Sequence, residues 1–288
     1  MKPLDAPFGA EVRGWEPSRP LTDNEARTLR DALHEHTLLL LRGHPQPSDE
    51  EFSRLGQSFG ELYAGGEIYG LENENRDVLR VTNELDAEGH EKGYAGSGYL
   101  PWHSDYTFRE RAAKETLLEA VVLPENGPRT HFANTYIAFE RLGEATRKRV
   151  SPLVGLHDPM QAGRRMPGAA REKNLEDYHA RLNPKAELPY EGEAVPHALA
   201  RTHPESGRTS LYVSDFVCGI QGMAQRDALP LVDELIDHAT SSEWTYSHNW
   251  EVGDLLIFDD VGIVHSRDDF PRDALRSMRQ MSTILPPA

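Results

Sequence analysis

The chain has 288 residues, 38% of them hydrophobic and 27% charged, and its 31 Lys and Arg against 47 Asp and Glu leave a formal net charge of −16. That acidity repels phosphate backbones and anionic lipid, and no Lys/Arg-rich run offsets it, so neither nucleic acid nor a membrane is an expected partner. A lone cysteine, Cys218, excludes an intramolecular disulfide and a zinc-finger framework, and no stretch approaches the roughly 20 apolar residues of a membrane span.

The first residues, Met1-Lys2-Pro3-Leu4-Asp5-Ala6-Pro7, lack the apolar region of a signal peptide, and a cytoplasmic enzyme or binding protein is the expectation. Phe8 to Arg13 alternates weakly, as a short strand would. Thr22-Asp23-Asn24-Glu25 has capping-box spacing, and the following apolar period predicts a helix to about His36. The run Thr37 to Leu41 is apolar on both faces, which suits a strand buried within a sheet. A second capping box, Ser48 to Glu51, opens a helix that closes near Gly56 or Gly60. Val78 to Asn83 reads as a strand. Glu84 to Gly98 is a long, polar, Gly-rich loop that delivers the chain into Trp102-His103-Ser104-Asp105.

Beyond that motif, Thr116 to Leu123 and Thr130 to Ala133 read as strands, and Tyr136 to Leu142 and Glu144 to Val150 as helices. The region 155–196 is polar, with several prolines, and carries Arg164-Arg165. It is expected to be a surface insertion or a lid over a site. Thr209 to Phe216 is a predicted strand, Ala224 to Ala239 an amphipathic helix interrupted at Pro230, and Gly253 to Asp259 and Arg276 to Leu285 are the last strands. Strands linked by turns, with helices early and between, predict one sheet-centred α+β domain over residues 1–288.

If Ser104 is extended, strand alternation puts His103 and Asp105 on one face, two of the three ligands of a 2-His-1-carboxylate site for non-haem Fe(II). The triplet alone is weak. With 13 His and 47 acidic residues, about two His-x-Asp/Glu triplets arise by chance, and the chain has two, the other being His203-Pro204-Glu205. The required second histidine has a candidate in His265, beyond the apolar strand ending at Asp259, where a satisfied core histidine is the competing reading. Arg276, eleven residues later, sits in a predicted strand where a buried guanidinium needs an anion. That anion is either a protein carboxylate or a dicarboxylate ligand.

Trp102-His103-Ser104-Asp105, His265 and Arg276, with Phe59-Gly60-Glu61-Leu62, Arg201 to Arg208 and Gly253-Asp254-Leu255, resemble the taurine dioxygenase (TauD/TfdA) family of Fe(II)/2-oxoglutarate oxygenases. The likeness runs in order from about Ala10 to Leu285. It implies a double-stranded β-helix, or jelly roll, with flanking helices. It also implies His103, Asp105 and His265 as catalytic metal ligands, and Arg276 and Thr130 as the residues that bind the 2-oxoglutarate cosubstrate. O2 is the other cosubstrate, and a small substrate is hydroxylated or desaturated with release of succinate and CO2. Relatives are often homo-oligomers, so a dimer or tetramer is the expected assembly.

The departures bear on substrate. Where taurine-type members place a sulfonate-binding arginine this chain has Gln280, with Arg279 one residue earlier on the opposite strand face, and Tyr99 replaces an expected asparagine. Taurine is therefore not the expected substrate. Tyr94, Tyr99, Phe108, Arg164 and Arg279 are candidate substrate residues, and an anionic, amino-acid-derived or secondary-metabolite molecule is expected. The alternatives are desaturation or decarboxylation of an isocyano carboxylic acid, a non-catalytic jelly-roll binding protein, and a zinc hydrolase built on the same ligands.

Overall fold

The strands of the computed structural model, which describes residues 1–69, 75–166, 168, 171–172 and 192–287, are in chain order β1 (Lys2–Pro3), β2 (Ala10–Val12), β3 (Leu38–Leu41), β4 (Leu79–Thr82), β5 (Leu100–His103), β6 (Ala113–Val122), β7 (Thr130–Asn134) and β8 (Val154–His157). There follow β9 (Val195–Ala198), β10 (Ala200–Thr202), β11 (Thr209–Leu211), β12 (Val217–Ile220), β13 (Thr245–His248), β14 (Leu255–Asp259), β15 (Ile263–Arg267) and β16 (Ser277–Ile284). Seven of them form one sheet, in the order β1-β2-β3-β14-β6-β16-β4, antiparallel except for the β2/β3 pair. A smaller sheet has the order β13-β7-β15-β5.

Alternation along the leucine-rich strands sets the layers. Leu38, Leu40, Leu256 and Phe258 face the smaller sheet and meet its Phe132 and Ile263. Their neighbours Leu39, Leu41, Leu255 and Ile257 face the other way, onto Leu29 and Leu33 of α1 (Asp23–His36) and Phe52 and Leu55 of α2 (Asp49–Gln57). Burial of each such side chain contributes roughly 1.5–3 kcal/mol, so a strand apolar on both faces is held between two cores. Both predicted capping boxes are present, Thr22 with Glu25 and Ser48 with Glu51. Thr37, at φ 67°, ends α1 in the left-handed region and turns the chain straight into β3.

A third core packs Leu231, Leu235 and Ile236 of the helix Gln225–Ala239 on Leu211, Val217 and Ile220. That helix continues through Pro230 rather than breaking there; the ring falls in the second turn, where it removes one amide donor. Of the predicted strand from Thr209 to Phe216 only Thr209–Leu211 is extended, as β11; residues 212–216 lead through a turn into β12, which was not predicted. Between them Asp215 leaves the sheet and pairs with Trp102, donating its amide to the Trp102 carbonyl and accepting the Trp102 amide on Oδ2 at 2.9 Å. The region 155–196 is not wholly irregular: β8 pairs antiparallel with β9 and with β12, and Pro159–Arg165 is a 3-10 helix. Residues 167, 169–170 and 173–191 lie outside the described residues, and with them the lid reading. Among the described residues, no helix is long and apolar enough to cross a membrane.

Candidate active site

The smaller sheet brings His103 and His265 together. They are register partners on β5 and β15, with ring centroids 4.1 Å apart. Strand β5 ends at His103, so Ser104 and Asp105 lie in the turn beyond it rather than in the expected continuous strand. There the Ser104 hydroxyl donates to the Ile263 carbonyl at 2.7 Å, and the Asp105 amide donates to Asp260 Oδ1 at 3.1 Å. Tyr106, at φ 54°, then turns the chain away. The outcome matches what alternation would have given: Asp105 Oδ1 lies 3.7 Å from His103 Nε2 and 4.0 Å from His265 Nε2.

One donor atom from each of His103, Asp105 and His265 lies within 4.8 Å of the other two. His103 Nδ1 lies 2.8 Å from the Pro101 carbonyl, an acceptor, so Nδ1 carries the proton and Nε2 presents its lone pair to the site. Burial pushes Asp105 above the usual carboxylate range, against the pull of His103, Thr116 and Gln280. Burial, and then His103, push His265 far below the ordinary imidazole range. Two imidazole nitrogens and a carboxylate oxygen converging in this way are the donor set of an Fe(II) facial triad, and a bound dication would relieve the cost of burying the carboxylate charge.

Arg276 is 2% exposed, and burial, with Arg267 nearby, drives its guanidinium well below the ordinary arginine range. Among the described residues its Nε has no hydrogen-bond partner and no carboxylate forms an ion pair with it. Its backbone is fixed, the amide by Asn83 Oδ1 at 2.8 Å and the carbonyl by the Thr82 hydroxyl at 2.9 Å. Thr130, also buried, accepts from Trp250 Nε1 at 2.9 Å, which leaves the threonine proton to donate elsewhere. It is the register partner of Arg267 in the β7/β15 ladder. A buried fork without an anion and an unspent hydroxyl proton fit the distal carboxylate of a dicarboxylate cosubstrate.

A family model described as taurine catabolism dioxygenase TauD, TfdA family, matches residues 1–282. The chain belongs to the TauD/TfdA family. Pentalenolactone F synthase of Streptomyces arenae is 32% identical, over 97% of this chain and 93% of the synthase. The alpha-ketoglutarate-dependent 2,4-dichlorophenoxyacetate dioxygenase of Cupriavidus pinatubonensis is 27% identical, over 98% and 96% of the two chains. The crystal structure of AAD-2 in complex with Mn(II) and N-oxalylglycine superposes with a TM-score of 0.76 at 26% identity, over 99% of this chain and 96% of that one. Such neighbours have the jelly-roll fold. As a TauD/TfdA member, the chain is an Fe(II)- and 2-oxoglutarate-dependent dioxygenase that consumes O2, and the expectations of a non-catalytic binding protein and a zinc hydrolase fall away.

The substrate candidates separate. Tyr94 is half-buried, its ring 4.3 Å from Tyr69 and packed at the margin of the inter-sheet core. Tyr99 is half-buried, its phenol raised by burial and then by Asp215. Phe108 is buried in the inter-sheet core, 5.8 Å from Tyr106, and serves as packing. Two candidates are corrected. Arg279 points to the outer face of β16, where it donates to Glu119 and, at 2.7 Å, to Asp49 Oδ1. Arg164 forms a two-point pair with Asp233 at 3.0 and 2.5 Å, because the helix Gln225–Ala239 presents that carboxylate to the 3-10 turn.

Sequence reasoning missed Phe216, whose half-buried ring stacks on His103 at 5.4 Å and 21°. It also missed Thr116 and Trp250. No local pattern marks any of them: Phe216 sits in the turn before β12, Trp250 in the segment after β13, and Thr116 on β6, and each meets the site only through tertiary contacts. Gln280 was on the predicted inner face, but what it binds was not legible.

Proposed function

We propose that this dioxygenase oxidises a small, largely apolar secondary metabolite, by hydroxylation or desaturation, at a carbon presented to a metal held by His103, Asp105 and His265. In this reading Arg276 and Thr130 hold 2-oxoglutarate. The observation that carries the site is the convergence of the three donor atoms within 4.8 Å. When bound, Fe(II) with 2-oxoglutarate and O2 supplies an oxidant able to remove hydrogen from an unactivated carbon, with succinate and CO2 as co-products.

The protein's own part is positional. Trp250 aims the Thr130 proton, the Pro101 carbonyl fixes the His103 tautomer, and Phe216 covers one face of that imidazole. Phe216 and the Tyr94–Tyr69 pair offer an apolar surface that excludes water where a reactive oxidant would otherwise be quenched. The expected anionic substrate had candidate partners in cations now found committed: Arg164 to Asp233, Arg165 to Asp215 and Asp237, and Arg279 to Glu119; Arg129, beside Thr130, is likewise paired with Asp268. An amino-acid-derived or isocyano acid loses its basis with them. The similarity to a synthase named for pentalenolactone F favours a lactone-type secondary metabolite instead.

Two measurements test this. Anaerobic Fe(II) plus 2-oxoglutarate is expected to give a weak visible metal-to-ligand charge-transfer band in the wild type and none in Asp105→Ala; an unchanged band in that variant overturns the site. Succinate formation is then followed with a panel of apolar lactones, 2,4-dichlorophenoxyacetate and taurine. Stimulation by a lactone above the two anions is expected, and a preference for taurine overturns the substrate class.

A further inference from the structure

Asp105 is unequally held. Its Oδ2 accepts from Gln280 Nε2 at 2.7 Å and from Thr116 Oγ1 at 2.9 Å, whereas Oδ1 is the oxygen that lies nearest the two histidine Nε2 atoms. Thr116 Oγ1 is also 2.7 Å from Ser282 Oγ. Since the threonine proton is spent on Asp105, Ser282 must be the donor in that contact, which gives a directed chain from Ser282 through Thr116 to the carboxylate. Thr116 and Ser282 are register partners on β6 and β16, and Gln280 shares the inner face of β16. The larger sheet thus reaches across to fix a side chain in the turn that follows β5 of the smaller sheet.

We propose that Gln280 is a positioning residue which, with Thr116, restricts Asp105 to one-oxygen coordination. Two donors saturate Oδ2 and leave Oδ1 for the metal. The consequence is arithmetic in coordination positions. Of the six positions an octahedral ion would offer, two imidazoles and one carboxylate oxygen would take three, which would leave two for the keto acid and one for O2. A two-oxygen carboxylate would take a fourth and force the cosubstrates to compete. A neutral amide suits this task, because a Lys or Arg in its place would bring a charge that competes with the metal for Asp105. The assignment rests on the reading of His103, Asp105 and His265 as metal ligands.

The test uses Co(II) as the probe. Apo protein is titrated anaerobically and followed by its visible d–d bands; 2-oxoglutarate is then titrated into the Co(II)-loaded form, and thermal melts of each apo variant report folding. Gln280→Met, which keeps length and removes the donor, is expected to weaken Co(II) and 2-oxoglutarate binding by about ten- to a hundredfold and to move the d–d bands, with the apo melt unchanged. Thr116→Val is expected to behave likewise, whereas Thr116→Ser, which keeps the hydroxyl, restores binding. That pair carries the test if Gln280→Met does not fold. Loss of Co(II) binding in Asp105→Ala, together with wild-type affinities and bands in Gln280→Met and Thr116→Val, would overturn the clamp alone. Unchanged Co(II) binding in Asp105→Ala would overturn the ligand assignment, and the clamp with it.

Discussion

At the scale of single residues, the two buried arginines near the site solve the same problem differently. Arg267 donates to the carbonyls of Ala95, at 3.0 Å, and Gly98, and its guanidinium lies 5.1 Å from the Phe270 ring, so it anchors the Gly-rich loop that precedes the metal motif. Among the described residues Arg276 shows no such partner for its Nε, which on the proposed reading is kept for the cosubstrate. A buried donor left unsatisfied costs about 1–3 kcal/mol, more when charged. Arg276→Met removes that cost, so the ligand-free variant is expected to be at least as stable as the wild type by urea denaturation, with a gain of about 1–3 kcal/mol. Its affinity for 2-oxoglutarate should fall beyond measurement. A destabilised Arg276→Met protein would mean that the guanidinium has a structural partner in the free enzyme.

At the scale of the element, β16 separates chemistry from architecture by parity. Met278, Gln280 and Ser282 face inward, whereas Arg279 and Met281 face the helix layer, where Arg279 meets Glu119, Asp49 and the Pro47 carbonyl. Burial lifts Glu119 to about 6 against the pull of Arg279, so removing the arginine leaves a buried carboxylate without its counter-charge. Arg279→Met is expected to cost about 3–5 kcal/mol in chemical denaturation while leaving Co(II) affinity unchanged. This is the reverse of the pattern for its neighbour Gln280. A metal-affinity defect in Arg279→Met without loss of stability would show that the two faces are not independent.

This parity was legible in the sequence, as were both capping boxes and the doubly apolar strands β3 and β14, because each depends on residues close in the chain. The two histidines and Asp105 were legible as residue types, although their meeting depends on the β5/β15 register, which no local pattern encodes. Strands β8, β9 and β13 were not legible. They are four-residue segments such as Thr245-Tyr246-Ser247-His248, whose extended form comes from ladders, of β13 to β7, of β8 to β12 and β9, and of β9 to β8, rather than from apolar alternation. Phe216 escaped for a similar reason: the turn that places it over His103 is set by Asp215 pairing with Trp102, 113 positions away.

At the scale of the whole molecule, polar contacts at the site tie the two sheets together: Gln280 and Thr116 of the larger sheet reach Asp105, beyond the end of β5 of the smaller one. His103 and His265 belong to the smaller sheet, whereas Arg276 leads directly into β16 of the larger one, and Gln280 and Thr116 cross between them. On the proposed assignment a metal with its keto acid would bridge both layers, and its binding energy would become folding energy. At a hundredfold excess over Kd a ligand that binds only the native state adds about 2.7 kcal/mol, which at this chain length raises Tm by roughly 5 °C. Melts of the apo protein, with Mn(II), and with Mn(II) plus N-oxalylglycine should therefore rise in two steps, and a chelator should reverse both. Arg276→Met should retain the first step and lose the second, because it keeps the metal ligands and removes the anchor on the larger sheet. Two intact steps in that variant would mean that the keto acid is held by the smaller sheet alone, with Arg276 buried for another reason.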